Sequence, residues 1–173
     1  ETTTLTLIPM VREKITIPLL AAGGIATGNG MMAAMALGAD GVQIGSRFVA
    51  SKESSAHEAF KNAVVLAKEG DTQLTLKELA PVRLLKNKFY QDLQSLYQTT
   101  PTLEDLKNIL GRARAKRGMF EGDLENGELE IGQISGMIQA VDSVSDIVDS
   151  IITEFKLCQT HISTINLNNQ NDQ

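Results

Sequence analysis

The sequence predicts an α/β fold, and three neighbouring features near its start carry that prediction. Two short apolar runs, at residues 19–22 and 41–44, are each followed by glycine. A segment rich in alanine and methionine, residues 28–37, lies between them and is long enough for one helix. This order predicts two parallel strands joined by a right-handed crossover, because the connection is too long for a hairpin. The first strand is continuously apolar, as parallel strands buried on both faces are.

The residues around these strands set the boundaries of the neighbouring helices. A short helix with an apolar face is expected over residues 5–15, with Pro9 near its first turn. Pro18 suits the start of a strand, where its missing N–H costs no hydrogen bond of the sheet. Thr27 is the expected N-cap of the crossover helix, and Gly38 is its expected C′ residue.

After the second strand the sequence predicts mainly helices. One begins near Ser55, which has capping-box spacing to Glu58, and ends before Gly70. A strand-like stretch follows at residues 72–76. The further helices are expected at residues 86–97, from Pro101 as the first helical residue to Gly111, at residues 133–140 and at residues 146–156.

The glycines at the two strand ends indicate a phosphate site. Gly23 and Gly24 allow backbone conformations closed to other residues and remove the Cβ that would bar a close approach. Gly45 does the same beside the second strand, Ser46 adds a hydroxyl donor, and Gln43 can place its amide beside a bound ring system. Gly23 and Gly24 alone would also suit an ordinary strand-to-helix turn. The prediction of a phosphate site therefore depends on the presence of glycines at both strand ends.

Such a phosphate site is typical of strands seven and eight of a (β/α)₈ barrel. A closed barrel needs about 250 residues, so two βα units are its C-terminal part. Residues 1–80 are expected to form these units, residues 81–157 a helical appendage, and residues 158–173 a disordered polar tail. Two strands alone would leave an open edge and an exposed apolar face. We therefore expect the remainder of the barrel upstream or in another chain.

Composition excludes several classes of function. The chain has 173 residues and a net charge of −5, which disfavours binding to nucleic acid or to an anionic membrane. No apolar run approaches the roughly 18 residues that span a bilayer. The lone Cys158 fits a reducing cytoplasm. One cysteine and two distant histidines, His57 and His161, do not make a metal-ligand set.

Several segments together resemble the FMN-binding half of the nitronate monooxygenase (2-nitropropane dioxygenase) family, which includes the flavin-dependent enoyl-acyl-carrier-protein reductases. The resemblance covers roughly residues 1–156. The segments that carry it are TT at residues 3–4, AAGGIA at 21–26, ALGADGVQIGSRF at 36–48, PVRLLKNKF at 81–89, EGD at 121–123 and GQISG at 132–136. The chain therefore resembles the C-terminal portion of such an enzyme.

The resemblance implies an FMN cofactor and assigns residues to it. The implied FMN contacts are Gly23, Gly24, Gln43, Ile44, Gly45 and Ser46. Gln133 is implied to close over the substrate side of the flavin, the alternative being an ordinary surface residue at a helix start. The family's catalytic histidine lies shortly before the Thr3-Thr4 segment, so no catalytic residue is expected within this chain. Neither His57 nor His161 matches that histidine.

Two groups of basic residues could serve either the fold or the binding of a substrate or partner. Lys86 and Lys88 either face the substrate or serve the fold, and the structural role is favoured. A basic stretch suits a solvated helix face, with docking of an acidic partner as the alternative. This basic stretch consists of Arg112, Arg114, Lys116 and Arg117.

The leading expectation is an FMN-dependent oxidoreductase that oxidises alkyl nitronates with dioxygen, in which this chain supplies the phosphate-binding part. The first alternative is an enoyl-acyl-carrier-protein reductase, which would use NAD(P)H and an enoyl thioester, with the basic stretch facing an acidic carrier protein. The second alternative is a non-catalytic fragment, or a subunit that completes a barrel with another chain.

Overall fold

The chain divides into two compact units in a computed structural model that describes residues 2–166. The first unit comprises Glu1–Ile44 and Ser145–Gln173, and the second is Gly45–Val144. This division differs from the expected boundary at residue 80. The chain leaves the first unit directly after the second strand, and it returns there because its final helix packs with the opening βα elements.

Eight α-helices, four strands and one 3₁₀ helix make up the described part of the chain. They are α1 (Thr4–Arg12), β1 (Leu20–Ala22), α2 (Gly28–Ala36), β2 (Gly41–Gln43), α3 (Ser46–Val49), α4 (Glu58–Leu66), β3 (Thr72–Thr75), β4 (Val82–Leu85), α5 (Lys88–Tyr97), α6 (Leu103–Leu110), α7 (Arg114–Met119), the 3₁₀ helix (Gln133–Met137) and α8 (Val144–Ser163). The prediction of an α/β fold is confirmed.

The strand–helix–strand prediction is confirmed in the first unit. Strands β1 and β2 pair in parallel, with α2 as the crossover. The Thr27 hydroxyl accepts a hydrogen bond from the Gly30 N–H at 3.1 Å, so Thr27 is the N-cap of α2. Gly38 follows the helix with a φ of +104°, as expected of a C′ glycine.

The burial of β1 differs from the expectation. Ala21 is 3 % exposed and packs against a cluster that contains Ile8 and Ile25, but Leu20 is 62 % exposed. The prediction that this strand is buried on both faces is therefore wrong for the described structure. Because successive side chains of a strand alternate between faces, one face of β1 is covered and the other is open.

The two ends of the first unit also differ from expectation. Pro9 lies inside α1 rather than in its first turn. Helix α8 extends to Ser163, so the prediction of disorder is wrong for residues 158–163, where the helix simply continues. Residues 167–173 of the predicted tail lie outside the described residues. The helix is fixed by Ile147 and Ile151, which are buried.

The second unit contains an antiparallel sheet that the sequence did not predict in full. Strand β3 corresponds to the strand-like stretch, and it pairs with β4, which lies where only helices were expected. Residues 129–131 add backbone hydrogen bonds on the other side of β4: the Leu85 N–H donates to the Leu129 carbonyl at 2.9 Å. The appendage from residue 81 onward is therefore not purely helical.

Two helices of the second unit begin later than predicted. The Nδ1 atom of His57 accepts a hydrogen bond from the Ala59 N–H at 3.1 Å, so α4 begins after His57 and the capping box at Ser55 is wrong. Helix α6 has Thr102 as its N-cap, in a capping box with Asp105. Its preceding proline is thus outside the helix rather than its first residue.

Candidate cofactor-binding site

The Gly23-Gly24 pair forms a turn at the carboxyl end of β1. Its φ angles are +91° and +76°, which side-chain-bearing residues rarely adopt. A Cβ built on Gly23 would meet no atom within 4 Å, and one on Gly24 would meet only the Thr4 hydroxyl at 3.8 Å. The pair is exposed, so a ligand can approach the main chain here without meeting a side chain.

Thr4 holds this turn in place. Its hydroxyl donates a hydrogen bond to the Gly23 carbonyl at 2.9 Å. The carbonyl of the turn is thereby engaged by the first residue of α1, whereas the N–H of Gly24 has no hydrogen-bond partner among residues 2–166. Thr4 belongs to one of the segments that carry the family resemblance, but the sequence alone indicates no role for it.

The end of β2 lies beside the same turn, because the strand register pairs Ala22 with Gln43. The Gln43 side chain is exposed, and its amide has no hydrogen-bond partner within the described chain. Ile44 is different: its side chain packs partly against the apolar core of the first unit. Any contribution of Ile44 to a ligand site therefore comes from its main chain.

Gly45 and Ser46 continue the chain into the second unit. Gly45 has an ordinary φ of −104°, yet a Cβ there would meet nothing within 4 Å, so this glycine leaves space rather than relieving strain. The N–H groups of both residues lack a hydrogen-bond partner among residues 2–166. These N–H groups are donors available to an anion.

The Ser46 hydroxyl has a partner that the sequence did not reveal. Its oxygen accepts a hydrogen bond from the Gly132 N–H at 2.9 Å. The hydroxyl proton is thus left to donate elsewhere, which agrees with the expected donor role. Gly132 is followed directly by Gln133, which begins the 3₁₀ helix and is exposed. The second unit therefore brings Ser46 beside the residue that precedes Gln133.

The basic residues with open roles mostly have partners within the protein. Lys88 pairs with Asp92 at 2.7 Å, one helical turn away, whereas Lys86 is exposed at the end of β4. In the basic stretch, Arg114 lies 4.5 Å from the centre of the Phe89 ring, and Arg117 pairs with Asp123 at 2.5 Å. Arg114 and Arg117 therefore serve the fold, which weakens the alternative of an acidic partner.

The two histidines of the chain belong to helical segments. His57 caps α4 through Nδ1, and His161 is exposed near the end of α8. Among residues 2–166, no group of three or more His, Cys, Asp or Glu side chains is arranged to hold a metal ion. In the same range, no helix is both long and apolar enough to cross a bilayer.

These features define an α/β protein whose strand ends present unpaired backbone N–H groups to open space. A model of the nitronate monooxygenase family matches residues 1–154, and the chain belongs to that family. The family resemblance seen in the sequence is thus confirmed.

Known proteins support the same assignment. A probable nitronate monooxygenase of Staphylococcus saprophyticus is 35% identical over 137 residues, which are 79% of this chain and 38% of that protein. The structure of FabK from Thermotoga maritima has a TM-score of 0.88 and 39% identity, covering 94% of this chain and 52% of that one. Nitroalkane oxidase from Streptomyces ansochromogenes has a TM-score of 0.73 and 30% identity, covering 92% and 45%. The chain therefore spans about half the length of these proteins, or less.

Proposed function

We propose that this chain is the C-terminal portion of an FMN-dependent oxidoreductase of the nitronate monooxygenase type, which oxidises alkyl nitronates with dioxygen. The observation that carries the proposal is the Gly23-Gly24 turn, with two consecutive positive φ angles and open space beside it. An anion that approaches the main chain needs that space together with unpaired N–H groups.

The proposed FMN contacts are those implied by the family resemblance. They are Gly23, Gly24, Gln43, Ile44, Gly45 and Ser46. The N–H groups of Gly24, Gly45 and Ser46 donate to the phosphate, and the Ser46 hydroxyl adds a donor. Gln43 offers its amide to the polar edge of the ring system. Bound FMN supplies the group that accepts two electrons from the substrate.

This arrangement binds a dianion with uncharged donors. Ser46 accepts a hydrogen bond from Gly132, and this bond polarises the hydroxyl so that its own proton is a better donor. We assign Gln133, the next residue, to the substrate side of the cofactor. Its exposed side chain at the start of the 3₁₀ helix supports that assignment.

The proposal places the catalytic base outside this chain. His57 caps a helix and His161 is exposed, so neither is assigned a catalytic role. We propose that the remaining strands of a (β/α)₈ barrel, upstream or in another chain, supply the histidine. The exposed face of β1 at Leu20 supports this proposal, since parallel sheets are normally covered on both faces. The cytoplasm is the proposed location.

The experiment is a turnover assay on the complete protein that contains this chain. The purified protein should show the visible absorption of an oxidised flavin and should consume dioxygen when an alkyl nitronate is added. Protein that is folded but colourless, and that binds no added FMN, would refute the proposal.

A reductase of enoyl thioesters is the second candidate. The likeness to FabK, at 39% identity, is higher than the likeness to nitroalkane oxidase, at 30%. Under this alternative, NAD(P)H would be oxidised only when an enoyl thioester is present, and alkyl nitronates would not be turned over. Comparison of these two activities in one preparation decides between the candidates.

The third possibility is a non-catalytic fragment or a subunit that completes a barrel with another chain. Mass spectrometry and size-exclusion chromatography of the purified material test this possibility. A stable complex with a second polypeptide that carries the flavin-dependent activity would support the subunit, whereas a well-folded, colourless monomer of 18.7 kDa would contradict both the fragment and the flavin.

A further inference from the structure

Two adjacent residues of α3 hold the two ends of one segment. The segment runs from Gly132 to Asp142 and is called the 132–142 segment. At its start, the Gly132 N–H donates to the Ser46 hydroxyl oxygen at 2.9 Å. At its end, the Arg47 guanidinium lies 2.6 Å from the Asp142 carboxylate and also donates to the Ala140 carbonyl at 3.3 Å. All these residues belong to the second unit.

The contact at Asp142 is reinforced by the backbone. The Lys52 N–H donates to the Asp142 carbonyl at 2.9 Å, and Ser51 forms a parallel bridge with Asp142. The Arg47 side chain is only 16% exposed, and that of Asp142 is 39% exposed. Because the Arg47 side chain is partly buried, this pair is screened less than one that lies wholly on the open surface. It is therefore a directional tie and not an incidental surface pair.

Apolar burial also holds the 132–142 segment, but it does not set the position of its polar residues. Ile134 in the 3₁₀ helix and Ile138 directly after it are both buried. Burial of apolar surface is non-directional, so these two residues fix how deep the segment lies rather than where Gln133 points. Hydrogen bonds at both ends of the segment supply that direction.

We propose that Arg47 and Asp142 are positioning residues that couple the cofactor-binding Ser46 to the Gln133 segment. This inference rests on the proposed FMN site and extends it. Neither residue touches the cofactor. Arg47 fixes the far end of the 132–142 segment to α3, so that FMN bound at Ser46 orders the start of the segment and places Gln133. Occupation of the phosphate side thereby stabilises the segment that forms the substrate side of the flavin.

Hydrogen exchange of the complete protein, with and without added FMN, tests this coupling. In the unaltered protein, FMN should slow exchange in peptides from residues 45–52 and from residues 132–142. In Arg47→Gln, the first protection should remain while exchange in residues 132–142 becomes at least about tenfold faster, or about 1.4 kcal/mol. The matched control is Arg117→Gln, which breaks another Arg–Asp pair of the same unit and should leave both protections unchanged.

The outcomes separate this inference from the proposed function. Without FMN, exchange in residues 132–142 should already be faster in Arg47→Gln than in Arg117→Gln. Equal rates would show that Arg47 does not hold the 132–142 segment in place, which would overturn the inference. If FMN protects neither peptide of the unaltered protein, the proposed FMN site fails, whatever the variants do. Should Arg47→Gln fail to fold, the exchanged pair Arg47→Asp with Asp142→Arg restores the ion pair, and it should recover the protection of residues 132–142. A folded exchanged pair without that protection contradicts the inference.

Discussion

Replacement of Gly23 by alanine tests whether this glycine serves only the backbone turn or also leaves space for a ligand. The chain offers a matched control in Gly70, because both residues are exposed and have positive φ, +91° and +83°. A Cβ at either position would meet no atom within 4 Å. The two substitutions therefore impose the same kind of backbone strain and cause no clash within the protein.

The strain of an alanine in this left-handed region is about 1–2 kcal/mol. Both Gly23→Ala and Gly70→Ala should lower the free energy of unfolding by that amount, as measured by urea denaturation of the complete protein without FMN. Only Gly23→Ala places a methyl group in the space proposed for the FMN phosphate. The dissociation constant of FMN should rise at least about tenfold, or about 1.4 kcal/mol, in Gly23→Ala and stay unchanged in Gly70→Ala.

Fluorescence titration of FMN into each variant measures these constants. An FMN affinity that is unchanged in both variants would refute the reasoning, because the methyl group of Gly23→Ala would then occupy space that the cofactor does not use. A loss of affinity in Gly70→Ala as large as that in Gly23→Ala would also refute it, since strain alone would explain both.

Three further predictions concern residues around the site and in the second unit. Thr4→Val removes the donor to the Gly23 carbonyl and should weaken FMN binding, whereas Thr4→Ser keeps the donor and should not; similar affinities in a binding titration would contradict the role of Thr4. His57→Ala removes the cap of α4 and should lower unfolding free energy by about 0.5–2 kcal/mol without changing turnover per bound flavin, so lost turnover in the folded variant would make His57 catalytic. Burial, with a smaller effect of the Glu130 carboxylate, raises the pKa of Glu128 from 4.5 to about 7, so the folded state binds a proton that the unfolded chain has released. Stability should therefore fall as the pH rises from about 4.5 to 7, and thermal melts of Glu128→Gln should lack that fall.

The strand–helix–strand unit was predictable because its determinants are local. The apolar runs, the Thr27 cap and the glycine after α2 each act within a few residues of the element they define. The positive φ angles of Gly23 and Gly24 follow from the same local chemistry. For these elements, the neighbouring sequence and the tertiary structure agree.

The second unit was less predictable because its determinants are distant. Strand β4 is stabilised by β3 and by residues 129–131, which no local pattern reveals. The hydrogen bond between Ser46 and Gly132 joins residues 86 positions apart. At α4, Ser55 and Glu58 have the spacing of a capping box, but the imidazole of His57 accepts the hydrogen bond and the helix begins later.

The residues of the candidate site were likewise predictable only where their roles depend on the local sequence. The glycines and Ser46 could be proposed from the sequence because small residues at strand ends leave main-chain donors open. The supporting contacts of Thr4 and Arg47 could not, since each depends on where a distant segment folds back. Sequence patterns thus indicated the groups that we propose face the ligand, and the structure adds the contacts made by their neighbours.

Discrimination between FMN and riboflavin by the complete protein tests the central claim most directly. Calorimetric titrations should show that FMN binds much more tightly than riboflavin, which lacks the phosphate. Ser46→Ala should lose at least about tenfold of that preference, while Ser95→Ala, at an exposed serine of α5, should keep it. Equal affinities for FMN and riboflavin in the unaltered protein would contradict the account.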